Sequence, residues 1–131
     1  MQGLKLVDND AYFRSLAETL PHTMLVVDPD TYRIQYINRL QPGFTLELVI
    51  GREVFDFVWP EYHDVYRNGF VEVKKDRQTK IIQSVGQTAN GEKAWYRSHI
   101  SVLPTVDGGL GSIMLIAEDV TETKKKEIQV Y

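Results

Sequence analysis

Residues 80–119 constrain the fold more than any other part of the chain. They hold three stretches of strand character, 80–88, 93–103 and 110–119, separated by Asn90-Gly91 and by Asp107-Gly108-Gly109. Asn-Gly and Asp-Gly supply the positive φ angles that tight hairpin turns demand. Long strands joined in this way meander as an antiparallel sheet, and a sheet must bury one face against another layer. Upstream, residues 23–28 (TMLVVD) read as a strand, the Asp28-Pro29-Asp30-Thr31 run as a turn, and 32–38 (YRIQYIN) as the returning strand of a hairpin.

Helices supply the covering layer. Asp8 or Asn9 is expected to cap a first helix that runs through Leu20 and stops at Pro21, with Tyr12, Phe13, Leu16, Ala17 and Leu20 on one face. From Arg39 to Val73 the period changes to short helical pieces broken by Pro42, Gly43, Gly51 and Pro60. The longest starts at Pro60, a favoured first-turn residue, and reaches about Val73 with Trp59, His63, Tyr66, Phe70 and Val73 in one stripe. Helix, two strands, several helices, three antiparallel strands and a helix make an α+β layout.

The chain ends on an abrupt change. Residues 113–117 are a continuous apolar run, and Glu122 onward is charged and rich in helix formers. Asp119 and Thr121 sit at the change, where either side chain can cap the first turn. A buried strand feeding an exposed helix is a mechanical output, which favours a sensor or coupling module over a self-contained enzyme. The final residues resume an apolar rhythm, as expected of a domain cut from a longer protein. The expected division is an N-terminal amphipathic helix (1–22), a core (23–121) and the start of a C-terminal linker helix (122–131).

Composition narrows the chemistry. A length of 131 residues suits one domain, and 43% hydrophobic with 25% charged residues is ordinary for a globular protein. No apolar run approaches the ~20 residues of a membrane helix, so no membrane contact is expected, and nothing resembles a signal peptide. A formal charge of −3 offers no general attraction for nucleic acid, and Lys124, Lys125 and Lys126 read as the solvated face of the last helix. Zero cysteines exclude disulfides and thiolate metal sites and accord with a cytoplasmic location. No nucleophile–base arrangement, phosphate-binding loop or metal-ligand spacing is present, so the domain is expected to be non-catalytic, with no metal.

With these residues in view, the chain resembles a PAS domain. VVDPDTYRIQYIN resembles the family's opening hairpin, with an Asp before the turn and an Asn closing the second strand. GFTLELVIGREVFDFVWPEYHD is similar to its run through the small helices. NGEKAWYRSHISVL and GGLGSIMLIAEDVTE resemble its last hairpin and closing Asp-x-Thr. The resemblance covers roughly residues 12–122 and implies a five-stranded antiparallel sheet around a pocket, with helices on one face. It also implies a sensory or dimerising role beside an output domain, most often a bacterial histidine kinase of a two-component system or a cyclic-dinucleotide enzyme. One segment departs: Arg39-Leu40-Gln41-Pro42 replaces the small, Ala-rich stretch usual after the Asn, so that pocket wall is expected to have a different shape.

Site expectations follow from the resemblance. Alternate residues of a strand share a face, and the family alignment turns Tyr96, Ser98, Ile100 and Val102 inward beside Ile113, Leu115 and Ala117, leaving Trp95, Arg97, His99 and Ser101 outside. The pocket candidates are His63, Tyr66, Tyr96, Ser98, Ile100, Leu115 and Ala117, with Arg52 at the edge. The plain alternative is that these side chains fill the core. His63 raises the possibility of haem, because His63-Asp64-Val65-Tyr66 resembles the His-Asp-x-Tyr run of haem-binding members, although it follows Pro60 at too short a spacing. Without cysteine the family's photoadduct with flavin is excluded, and no residue supports a noncovalent flavin. Asp119 and Thr121 would match the junction to the signalling helix. Tyr12, Phe13, Leu16 and Leu20 are too many large apolar groups for a solvated helix face. They are expected to cover the outer sheet face near Trp95 or to pack against a partner's equivalent helix; the resemblance implies both together, so a homodimer built through this helix and the outer sheet face is expected.

The reading that results is a domain sensing a small molecule, dimerising, and driving an output domain in cis. Its alternative is a ligand-free dimerisation module.

Overall fold

The computed structural model describes residues 2–41, 43–87 and 91–130, with side chains described for 11–41, 43–86 and 91–128. Chain order is α1 (Gln2–Thr19), β1 (Thr23–Val27), β2 (Ile34–Ile37), α2 (Leu46–Val49), two 3₁₀ turns (Val54–Phe57 and Pro60–Tyr62), α3 (His63–Asp76), β3 (Lys80–Gln87), β4 (Lys93–Pro104), β5 (Leu110–Asp119) and α4 (Thr121–Val130). The strands form one antiparallel five-stranded sheet in the order β2-β1-β5-β4-β3. The α+β sheet expected from the sequence is therefore present, with β1 reaching across the chain to pair Thr23 with Ala117 and Val27 with Ile113.

Side-chain alternation decides which face is covered. Ser98 and Ile100 of β4 and Ile113 and Leu115 of β5 are buried together with Phe70 and Val73 of α3. Phe70 is the centre of this core: its ring stacks on Tyr32 at 4.7 Å and meets Phe55 at 6.0 Å. Gly69 lets α3 lie close to the sheet, since a Cβ there would come within 2.8 Å of Ile82 Cδ1 and 3.2 Å of Ile100 Cδ1.

Some element ends differ from expectation, each for a local reason. Helix α1 already runs from Gln2, so Asp8 and Asn9 lie inside it and do not cap it. Pro60 opens a 3₁₀ turn, and α3 continues to Asp76, where Arg77 adopts a left-handed φ of 61° and donates its N–H to Val73 O. Strand β2 starts only at Ile34 because Tyr32 also takes a left-handed φ of 59°, held where its N–H reaches Asp28 O at 2.9 Å. Gly91 and Gly108 have the positive φ expected of their turns, and Asn90 lies outside the described residues.

Helix α1 is fastened at its C-terminal end. The Asn38 carboxamide donates to Ala17 O (2.8 Å) and His22 O (3.0 Å) and accepts from Met24 N–H at 2.8 Å. The Arg39 guanidinium adds bonds to the carbonyls of Glu18 and Leu20. Ala17 is buried, and Phe13 meets Tyr36 of β2 with ring centroids 5.7 Å apart. Through Val26 and Met114, Tyr36 shares the sheet face of Ser101, so this helix meets the outer face as the sequence reading offered, but over β2 and not beside Trp95. Tyr12 and Leu16 remain 65% and 52% exposed.

Candidate functional site

A cavity of about 710 Å³ lies between the inner sheet face and the layer formed by α2, the 3₁₀ turns and α3. Strands contribute Leu25, Ile34, Ser84, Tyr96, Ser98, Leu115 and Ala117 to its wall; the helical layer contributes Val49, Phe55, Phe57, His63 and Tyr66. Exposed Leu40 and Leu48 stand at its mouth. The inner residues of this region thus surround space and do not fill it. Six of the pocket candidates, His63, Tyr66, Tyr96, Ser98, Leu115 and Ala117, line this cavity.

Ile100 is a correction. It is 0% exposed and absent from the lining, because the close approach of α3 at Gly69 fills that end of the layer. Arg52 does not line the cavity either; its Nε pairs with Asp56 Oδ2 at 3.0 Å on the surface.

The polar groups of the cavity form a short series. Tyr66 Oη lies 2.9 Å from Ser84 Oγ and 2.8 Å from Ser98 Oγ, all three buried. Nearer the mouth, Gln41 Nε2 donates to Tyr96 Oη at 3.2 Å. Burial raises the Tyr96 phenol above its ordinary pKa, partly offset by that bond, so the phenol stays neutral. The unusual 39–42 segment therefore has identifiable work: Arg39 holds α1, while Gln41 reaches 55 positions along the chain to β4.

His63 faces two acceptors. Its Nε2 lies 2.9 Å from Phe55 O and 2.8 Å from Val58 O. Carbonyls only accept, so Nε2 carries the proton and donates to both. An iron ligand needs a bare nitrogen lone pair, so ligation through Nε2 would cost both bonds. The arrangement suits a structural histidine bracing the 3₁₀ turn and does not fit haem held through Nε2. Among the described residues there is also no cluster of three or more His, Cys, Asp or Glu side chains able to hold a metal.

At the start of α4, Asp119 Oδ1 accepts the Thr121 N–H at 2.9 Å, satisfying a first-turn donor that has no partner within the helix. Thr121 plays a different part: its Oγ1 accepts the Trp95 N–H at 3.0 Å, and Val120 N–H donates to Trp95 O at 2.8 Å. Both backbone groups of Trp95 are therefore committed to the junction. Its neighbour Tyr96 pairs with Asp119 in the sheet and lines the cavity. Ser84, Gln41 and Trp95 were not among the sequence candidates. Ser84 had a visible signal, since it alternates with the inward Ile82 and Gly86 on β3; Gln41 lay in the segment singled out as an altered pocket wall, and the Trp95 backbone had no signal.

A five-stranded antiparallel sheet with a cavity under one face and a helix leaving its central strand defines an α+β domain of the sheet-and-pocket type. The chain belongs to the PAS family: a family model described as PAS fold matches residues 17–125. Among solved structures, it is similar to a PAS domain from Colwellia psychrerythraea (15% identity, 89% of this chain and 98% of that one, TM-score 0.73). It is also similar to the PAS domain of an HTR-like protein from Haloarcula marismortui (18% identity, 90% and 97%, TM-score 0.68). An RNA-binding light-oxygen-voltage receptor matches over 92% of this chain but only 36% of its own, at 17% identity and a TM-score of 0.75. These identities establish the fold alone. No curated protein gives a significant match. No helix among the described residues is long and apolar enough to cross a membrane.

Proposed function

We propose that this chain is the sensory domain of a larger signalling protein, such as a histidine kinase, and that it binds a small molecule in the 710 Å³ cavity. That volume falls within the roughly 300–1,000 Å³ range of small-molecule sites. The observation that carries the reading is the step from Tyr96 to Trp95. Tyr96 lines the cavity, and the adjacent Trp95 backbone holds Val120 and Thr121 at the root of α4. A ligand that favours one packing of Tyr96 then biases the junction, by no more than its difference in affinity for the two states. The output domain lies in cis beyond α4.

A thermal-shift screen tests this. A ligand at about 100 times its Kd adds about 2.7 kcal/mol of stability, a shift of several degrees. Ala117→Leu, which places a larger side chain in the cavity from β5, is expected to abolish the shift while remaining folded. A broad screen without a single cavity ligand contradicts the reading.

A second reading, constitutive dimerisation, is favoured by the exposed Tyr12 and Leu16 on α1. Apolar groups on a helix already fastened to its own sheet offer a surface to a second copy. Light scattering is expected to give a dimer, and a strict monomer at high micromolar concentration contradicts it.

A further inference from the structure

The cavity's charge and proton inventory narrows what it can hold, an inference that rests on the ligand-sensing reading above. Among the described lining residues the only formally charged side chain is Asp56, which is exposed and paired with Arg52. Among the described residues no Lys or Arg lines the wall. An anion entering would lose hydration and gain no cation, a cost that a few hydroxyl donors do not repay.

The buried floor, by contrast, has a donor to give. Tyr66, Ser84 and Ser98 are 4%, 7% and 2% exposed and share two hydrogen bonds. Three hydroxyls carry three protons, and two bonds use two of them. Whichever way the hydroxyls rotate, one proton is unspent within the cluster, and these groups have no other partner among the described residues. Tyr96 also keeps a proton, but it is only half-buried and lies outside this cluster, its Oη accepting from Gln41 Nε2 at 3.2 Å.

We infer that the cavity takes an uncharged, largely apolar molecule with one hydrogen-bond acceptor, seated on the spare proton of the Tyr66–Ser84–Ser98 cluster, and that it rejects anions. The apolar body lies against Leu25, Ile34, Val49, Phe55, Phe57 and Leu115. The acceptor is a ketone, ether or ring nitrogen.

Three probes of one shape test this on the whole chain by calorimetry and amide chemical shifts: 2-acetylnaphthalene, 2-ethylnaphthalene and 2-naphthoate. The ketone is expected to bind about five- to tenfold more tightly than the hydrocarbon, the worth of one net hydrogen bond. The carboxylate is expected to bind at least tenfold more weakly than the ketone, for want of a cation. The combined variant Tyr66→Phe, Ser84→Ala, Ser98→Ala removes donors and acceptors together, so it leaves none stranded. It should fold and bind ketone and hydrocarbon equally. Should the triple variant not fold, the wild-type selectivity alone decides. Equal or tighter binding of naphthoate or of the hydrocarbon overturns the inference while leaving a ligand-sensing cavity standing. No binding by any of the three overturns the inference, and the broad screen then decides the reading beneath it.

Discussion

Asn38 offers the sharpest test of how the N-terminal helix is held. Its carboxamide orientation is fixed by its partners, because two carbonyls (Ala17 and His22) require the NH₂ and the Met24 N–H requires the oxygen. Asn38→Ala deletes three bonds at a half-buried site. At about 1 kcal/mol net for each, discounted for water entering the gap, the loss is roughly 2 kcal/mol. For a domain of this size that lowers the melting temperature by about 6–10 °C. Asn38→Asp is more informative because it is nearly isosteric. It keeps an acceptor for Met24 but turns its second oxygen toward two carbonyl oxygens, so it is expected to cost at least as much as alanine at neutral pH. Urea unfolding followed by circular dichroism gives the stabilities, and amide hydrogen exchange at the end of α1 shows whether the helix has come loose. An Asn38→Asp variant as stable as wild type, with α1 equally protected, refutes the reasoning.

Other outcomes follow from the same geometry. Tyr66→Phe alone strips both serines of their shared partner and is expected to cost about 1–3 kcal/mol, more than the triple variant, as measured by urea unfolding. Thr121→Val removes the acceptor of the Trp95 N–H and should speed exchange at Trp95 while leaving global stability within about 1 kcal/mol. The Asp28 carboxylate is held below its ordinary pKa by the N–H groups of Thr31 and Asp30. A lowered folded value means that its contribution is complete above the ordinary carboxylate range and lost as pH falls through the folded value. Asp28→Asn should therefore flatten the acid arm of the stability curve below about pH 4. Added haemin is expected to give no Soret shift, since His63 Nε2 is occupied as a donor.

What the sequence disclosed was whatever periodicity and turn chemistry encode. Alternation grouped Ser98 with Tyr96 and Leu115 with Ile113 on common faces, which the family resemblance turned inward; the Gly-containing turns set the β4–β5 hairpin, and Asp119 announced the start of α4. Ile100 was misassigned because strand alternation tells the face and not the position along it; only the close approach of α3 at Gly69 separates cavity wall from solid core. The start of α1 was missed because an Asp or Asn can sit inside a helix as well as cap it. Left-handed Arg77 and Tyr32 carry no glycine to betray them. The Gln41–Tyr96 bond and the Trp95 clamp are long-range pairings of polar or backbone groups, which a one-dimensional pattern does not record.

The central claim is that cavity occupancy is felt at the root of α4 through Tyr96 and Trp95. Residue-resolved hydrogen exchange, with and without a saturating cavity ligand, measures it directly. Exchange at the Trp95 and Val120 amides is expected to change on the order of fivefold or more, the lower end of ordinary coupling energies, and Thr121→Val should break the link between them. A ligand that protects the cavity amides while leaving Trp95 and Val120 exchanging at their unliganded rates contradicts the claim.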